Sequence, residues 1–343
     1  MEKLLAEWFS QNKRDLPWRK TGNPYFIWLS EIILQQTQVI QGLPYYLNFT
    51  SKYPKITDLA NAPEDEVLKL WQGLGYYSRA RNLHKTAKIV SEIYGGIFPN
   101  HYDEIRDLPG IGDYTAAAIT SFAFNLCYPV LDGNVARVIS RMFGVVTPVD
   151  TPAGKAEIMQ ILNRLINKKH PGEFNQAIME FGAIHCKPRQ PLCETCPFQS
   201  DCYALRHQTI DTLPLKKNKT AVKSRRLDYL ICVENDFLWI KKRTNRDIWQ
   251  HLYDFPEADE ILAKTFKKRQ LLSYSEHLLS HQHLQISFWK VETLPEMLKS
   301  TAQKIPISEI FSYAMPKPIN KFMSENHLST KIVDKKTSNV KKL

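Results

Sequence analysis

The chain has 343 residues, 43% of them hydrophobic, and carries 46 Lys and Arg against 35 Asp and Glu for a formal charge of +11. That length accommodates two domains with real cores, and the charge suits a polyanion or an anionic membrane surface equally well. No apolar run is long enough to cross a bilayer as a helix, which excludes a membrane-spanning helix.

At the N-terminus Leu4, Leu5, Trp8 and Phe9 recur as one face of a helix, with no small-residue cleavage site after them, so a soluble intracellular protein is expected. Pro17, Gly22 and Pro24 then mark an irregular passage, and Asn23 or Ser30 is available to cap the next helix. From Trp28 to Ile40 the pattern is helical, its apolar positions Trp28, Leu29, Ile32 and Ile33 interrupted by Glu31. Two readings of Glu31 stand here. A carboxyl in apolar surroundings has its charged form disfavoured and becomes an acid near neutral pH; a solvated glutamate in a first turn is favoured by the helix dipole.

Farther on, Leu108-Pro109-Gly110-Ile111-Gly112 sets a proline before two glycines able to take positive φ, and the alanine-rich residues 114–124 have high helix propensity. The spacing predicts two helices joined by a tight turn, with Asp113 as a cap of the second. Backbone N–H groups at such a helix start favour a phosphate, although an ordinary connection has the same composition. After the apolar residues 128–131 comes Asp132-Gly133-Asn134, a lone carboxylate beside a glycine.

Four of the six cysteines form the series Cys186, Cys193, Cys196 and Cys202, with six, two and five residues between them. In an intracellular chain this density points to metal thiolates before disulfides, and both tetrahedral zinc and iron–sulfur ligation suit four thiolates. Cys127 and Cys232 stand apart and are expected to pack as small apolar groups. Next come Lys216, Lys217, Lys219, Lys223, Arg225 and Arg226 with no acid among them, a linker that either follows a polyanion or is simply solvated. Residues 227–233 and 237–243 are β-rich around a short turn at 234–236, and residues 251–257 and 281–291 are strand-like. Helical character recurs over 259–268, and the last residues are basic without apolar periodicity, as in a disordered tail.

Asp15-Leu16-Pro17-Trp18-Arg19, residues 29–39, residues 73–83, the 108–112 turn with its helix, residues 131–137, Asn175-Gln176-Ala177 and the cysteine series occur in register over residues 14–202. Together they resemble the adenine DNA glycosylases of MutY type, within the endonuclease III and helix-hairpin-helix superfamily; a weaker similarity runs to about residue 325. The resemblance implies a multidomain chain: an all-α helix-hairpin-helix glycosylase domain over 1–205 with an iron–sulfur loop at 186–202, a basic linker over 206–224, a Nudix-like α+β domain over 225–325, and a tail over 326–343. The acid-rich box of Nudix hydrolases is missing, so that domain is expected to recognise and not to hydrolyse.

For function, the resemblance implies hydrolytic release of adenine opposite 8-oxoguanine or guanine in double-stranded DNA, by a monomer in the cytoplasm of a bacterium, acting on the nucleoid. Glu31 would protonate the base and assist water, Asp132 would stabilise the sugar cation, and Asn134 would orient Asp132. Tyr114 stands where relatives with lyase activity carry the lysine that forms a Schiff base, so a monofunctional enzyme is expected, with Tyr114 close to both carboxylates. Gln35 and Tyr76 would fill the gap left by the flipped base, Gly110 and Gly112 would meet the DNA backbone, and Arg14, Leu16, Arg19 and Gln176 would surround the adenine. One 4Fe-4S cluster is implied on Cys186, Cys193, Cys196 and Cys202, and 8-oxoguanine would be read by Ser280 and His281, with Leu279 departing from the family's usual Phe. Two other readings remain: an endonuclease III-like glycosylase for oxidised pyrimidines, against which Tyr114 and the C-terminal domain argue, and a non-catalytic DNA-binding or redox-sensing iron–sulfur module.

Overall fold

Leu5, Trp8 and Phe9 form the buried face of α1 (Glu2–Asn12), as their spacing requires, and enter a core with Val135, Ile139 and Phe181. The computed structural model describes residues 1–217, 222–258 and 269–326; the expected helix at 259–268, part of the linker and nearly all of the tail lie outside the described residues. Two compact units are present, Met1–Asn61 with Asn82–Lys219, and Ala62–Arg81 with Thr220–Leu343.

The expected helix from Trp28 to Ile40 is in fact two. α2 (Pro24–Leu34) starts earlier because the Asn23 side chain accepts a hydrogen bond from the Tyr25 N–H at 3.0 Å and Pro24 is preset for a first helical position. It stops at a polar stretch in which Gln36 takes φ 54°, and α3 (Val39–Lys52) begins after it. Glu31 therefore sits in the last turn of α2 and is buried, which removes the solvated first-turn reading.

The other described α-helices before the linker are α4 (Ile56–Asn61), α5 (Glu64–Leu70), α6 (Ser78–Ile93), α7 (Tyr102–Arg106), α8 (Asp113–Phe124), α9 (Gly133–Phe143), α10 (Pro152–Leu165), α11 (Pro171–Glu180) and α12 (Tyr203–Arg206). Between α7 and α8 the glycine turn forms as expected. Gly110 has φ 78°, and a Cβ there would stand 2.7 Å from the Asn82 Cβ, so both conformation and space demand glycine. Asp113 is not the cap of α8: Gly112 holds that position in extended conformation, and the Asp113 carboxylate pairs instead with Arg106 at 2.5 Å. Asn175, fully buried on α11, donates to the Tyr128 carbonyl at 2.8 Å and accepts from the Val130 N–H at 3.2 Å, tying down the strand of chain that leads to Asp132.

The second unit is built on a mixed sheet of seven described strands: β1 (Lys223–Glu234), β2 (Phe237–Lys242), β3 (Tyr253–Asp254), β4 (Glu257–Ala258), β5 (Gln270–Leu278), β6 (Gln282–Val291) and β7 (Gln303–Pro306). Its order is β3-β2-β1-β6-β5, with β4 on β1 and β7 on β2. β1 and β6 run parallel from Lys223↔Gln282 to Cys232↔Val291, while β1 and β2 form the expected hairpin, turning through Asn235 and Asp236 at φ 48° and 65°. β5 escapes the sequence reading because its Ser, Glu and His residues leave little apolar alternation. One face of the sheet buries Leu227, Tyr229, Ile231 and Phe288, and Phe288 stacks on Phe322 of the helix Lys317–Glu325 at 4.0 Å. This unit also takes in α5: Asp65 accepts from Lys242 at 2.6 Å and from the Tyr253 hydroxyl at 3.1 Å, and Arg81 donates to the Gln250 carbonyl at 2.7 Å.

Candidate active site

A cleft of about 1420 Å³ opens in the helical unit between α2, α8, the start of α9 and α11. Lining it are Arg14, Leu16, Arg19, Glu31, Gln35, Gly112, Tyr114, Asp132, Asn134 and Gln176, ten residues drawn from five separate stretches of sequence. Gly110 lies in the adjoining turn and is not among the lining residues. Tyr76, Ser280 and His281 belong to the other unit.

Glu31 is 8% exposed, and its Oε2 accepts a hydrogen bond from the Tyr114 hydroxyl at 2.8 Å. Burial pushes its pKa up to about 7; the Tyr114 hydrogen bond and the Arg19 charge oppose that rise, and the negative charge of Asp132 adds to it. Asp132 is held quite differently. As the N-cap of α9 it accepts from the Val135 N–H at 2.7 Å through Oδ1 and from Asn134 Nδ2 at 2.8 Å through Oδ2. Burial raises its pKa too, but these donors and Arg137 favour the carboxylate. Burial thus raises both carboxyl groups of the cleft, but Asp132 has donors on each of its oxygens that oppose the rise, where Glu31 has the single Tyr114 hydroxyl.

Behind Asp132 lies a relay absent from the sequence reading. Arg137 donates to Asn134 Oδ1 at 2.9 Å, to the Gly182 carbonyl at 2.7 Å and, through Nε, to the Cys186 carbonyl at 2.9 Å. Gly182 has to be glycine, since a Cβ there would fall 2.7 Å from the Asn134 Cβ and 2.9 Å from its carbonyl oxygen. A second omission is Glu180, which is 1% exposed and binds Arg14 and Arg19 together. Its signal was available: Glu180 follows Gln176 by one helical turn and so shares its face of α11.

Gln35 is half-buried, and its Nε2 donates to Thr115 Oγ1 at 3.2 Å, whereas Gln36 beside it is exposed and strained at positive φ. In the sheet unit Tyr76 shares that combination, 46% exposed at φ 48°, with the Arg79 guanidinium 5.6 Å from its ring. Ser280 and His281 are exposed at the tip of the β5–β6 hairpin, their side chains 3.2 Å apart. Leu279 packs against the sheet core, and the apolar side chain that projects at this tip is Leu278.

Cys186, Cys193, Cys196 and Cys202 line one small pocket with Phe181, Phe198 and Arg141, and none is in a disulfide. Buried Arg141 donates toward Cys186 Sγ at 3.5 Å and to the Lys187 carbonyl at 2.8 Å. Burial pushes the Cys196 thiol up to about 11 and raises Cys186 and Cys193 as well, so thiolates at these three positions need a cationic partner. Among the described residues no three His, Cys, Asp or Glu side chains converge on a single metal ion. Cys232 is buried as expected, but Cys127 is exposed.

Comparison with known proteins agrees with this geometry. Residues 29–168 match the model of the HhH-GPD superfamily of base excision DNA repair proteins, and residues 228–325 match a NUDIX domain. An adenine DNA glycosylase of Buchnera aphidicola subsp. Baizongia pistaciae is 38% identical over 82% of this chain and 83% of its own length. That of Buchnera aphidicola subsp. Schizaphis graminum is 33% identical over 93% of this chain and 96% of its own. Among solved structures, a non-covalent endonuclease III–DNA complex superposes with a TM-score of 0.53 at 25% identity, over 60% of this chain and 94% of that one. With a buried carboxyl and a second, N-capping carboxylate in one helical cleft, and 33–38% identity to these enzymes over 82–93% of its length, the chain belongs to the adenine DNA glycosylase family of base-excision repair enzymes.

Proposed function

We propose that the protein binds double-stranded DNA and hydrolyses the N-glycosidic bond of adenine mispaired with 8-oxoguanine or guanine. The observation that carries this reading is the pairing, in one cleft, of Glu31 poised near neutrality with Asp132 held by donors to its carboxylate. Glycoside hydrolysis passes through an oxocarbenium-like state that needs a proton on the leaving group and negative charge beside the sugar. Glu31 supplies the proton to the adenine ring and then assists water. Asp132, oriented by Asn134, stabilises the sugar cation. Arg14, Leu16, Arg19 and Gln176 enclose the base, and Gln176 offers both a donor and an acceptor to its edge.

Flipping the adenine out of the duplex costs about a few kcal/mol. Tyr76 and the exposed Gln36 suit the vacated space, and Gln35 then serves to join α2 to Thr115 on α8. Gly110 and Gly112 meet the DNA backbone; a Cβ at Gly112 would meet nothing within 4 Å, which leaves room for a close approach. Tyr114 cannot form an imine, so the enzyme is monofunctional. Ser280 and His281 read 8-oxoguanine from the 225–325 domain, and the protein works as a monomer in the bacterial cytoplasm.

Cys186, Cys193, Cys196 and Cys202 hold one 4Fe-4S cluster. Four thiols around one pocket, with six, two and five residues between them as in the iron–sulfur loop the chain resembles, suit such a cluster. Cys186, whose carbonyl accepts from Arg137, would be one of the residues holding the cluster, which when bound would cross-link that loop. Purified protein should be brown with about four irons per chain; a colourless protein with one zinc overturns this assignment. The function is tested by single-turnover base release from duplexes with adenine opposite 8-oxoguanine, adenine opposite guanine, or an oxidised pyrimidine. Adenine release from the first two without strand cleavage is expected, and release of the pyrimidine alone refutes the reading.

A further inference from the structure

Glu180 ends α11 with a carboxylate 1% exposed to solvent, an expensive place for a charge unless it is fully partnered. Its partners are both pocket arginines. Arg14 donates to it three times, from the backbone N–H at 2.9 Å, from Nε at 2.8 Å and from Nη2 at 2.6 Å, and Arg19 donates once at 2.8 Å. Arg19 also donates to the Arg14 carbonyl at 3.1 Å, so one carboxylate gathers the whole turn of residues 14–19 onto α11. We propose that Glu180 is a positioning residue for adenine excision, one that clamps Arg14 and Arg19 into the wall of the base pocket and offsets their charge beside Glu31.

The inference rests on the reading of Glu31 as the proton donor. Facing Glu31 are the Tyr114 hydroxyl from α8, the Asp132 carboxylate from the start of α9 and the Arg19 guanidinium from the turn before α2. α3 brings only Val39 and Ile40 to the cleft, and α11 brings Gln176, Met179 and Glu180. Asp113 and Lys155, also in the lining, are exposed and screened by water and salt. Burial disfavours the Glu180 carboxylate, but the hydrogen bonds from Arg14 and Arg19 hold its pKa down to about 2, so it is an anion throughout the working range. With Glu180 in place, two guanidiniums and one carboxylate leave a single positive charge in this wall. Without it, two cations stand there and favour the ionised form of Glu31, which has no proton to give. The buried glutamate thus preserves the acid of the reaction from a position one residue removed from it.

The test follows Glu31 itself as well as the reaction. In protein labelled with ¹³C at glutamate carboxyl groups, the Glu31 titration is recorded by NMR for wild type, Glu180→Gln, Glu180→Asp and the double variant Glu180→Gln with Arg19→Gln; single-turnover adenine release is measured across the same pH range. In Glu180→Gln the Glu31 midpoint and the falling limb of release should both move down by about one pH unit, the low end of the effect of a nearby opposite charge. Glu180→Asp should recover most of the shift, and adding Arg19→Gln should move the midpoint back up by removing the excess cation. A Glu180→Gln protein that is slower at every pH with an unmoved midpoint, or a double variant that stays where the single one lies, overturns the proposal. Should Glu180→Gln fail to fold, Arg19→Gln alone must raise the Glu31 midpoint, and an unmoved midpoint overturns it equally. Because the titration is read in free protein, a shift without any adenine release sinks the excision reading and leaves the coupling standing.

Discussion

In the cleft, Glu31 is 8% exposed and hydrogen-bonded to Tyr114, and the Asp132 carboxylate takes one donor on each oxygen. At the β5–β6 hairpin tip, Ser280 and His281 are exposed, and their side chains bond to each other. The contrast fits the work proposed for each region. Protonating a base and holding a sugar cation require groups whose charge state is set before substrate arrives, which takes burial and fixed donors. Recognition of an opposing base needs donors and acceptors still free to pair with it, which a solvent-facing hairpin keeps available.

The contrast recurs inside the cleft between two glutamates of similar burial. Glu31, next to a phenol and a second carboxylate, is pushed up to about 7; Glu180, gripped by two guanidiniums, is held down to about 2. Burial alone does not decide the protonation of a carboxyl; the sign of its partners does.

Removing the poised proton should have the largest effect. Glu31→Gln keeps the shape of the side chain but cannot donate as an acid, so single-turnover adenine release should fall by about 10²- to 10⁴-fold, with mismatch affinity in a gel-shift titration nearly unchanged. Wild-type turnover in this variant would deprive Glu31 of its role. The sign of the pH dependence follows: the acid is competent while protonated, so release by wild-type protein should decline as pH rises through about 7. An activity that instead climbs through neutrality would mean that another group limits the reaction.

An intermediate effect is expected from the support under Asp132. Gly182→Ala would drive a methyl group against Asn134 and its carbonyl, which should cost about 1–3 kcal/mol of stability and displace the loop that orients Asp132. Thermal melting and adenine release should fall together; a melting point and rate equal to wild type would show that the loop yields without consequence. The hairpin should give the smallest effect. Ser280→Ala with His281→Ala deletes exposed groups, so stability should hold, while preference for 8-oxoguanine over guanine falls by roughly tenfold, the value of one or two lost hydrogen bonds. Both substrates are compared at one salt concentration, because the phosphate contribution is indifferent to the opposing base. Unchanged preference would leave the hairpin without a part in recognition.

Local chemistry made much of this protein legible from its residues in order. The glycine turn before α8, the amphipathic face of α1, the Asn235-Asp236 hairpin and the cysteine series each depend on neighbours within a few positions, where backbone conformation and spacing act directly. Resemblance carried the residues of the cleft, and ten of them do line one cavity. What residue order did not disclose was which side chains complete each other across long separations. Glu180 meets Arg14 166 positions away, and Arg137 meets the Cys186 carbonyl 49 positions away. Even the environment of Glu31 was undecided, because its pattern allowed both a solvated first turn and an apolar setting. Only the break at Gln36 and the packing of α8 against α2 put its carboxyl out of water, since desolvation is a property of everything that surrounds a group and not of the segment that bears it.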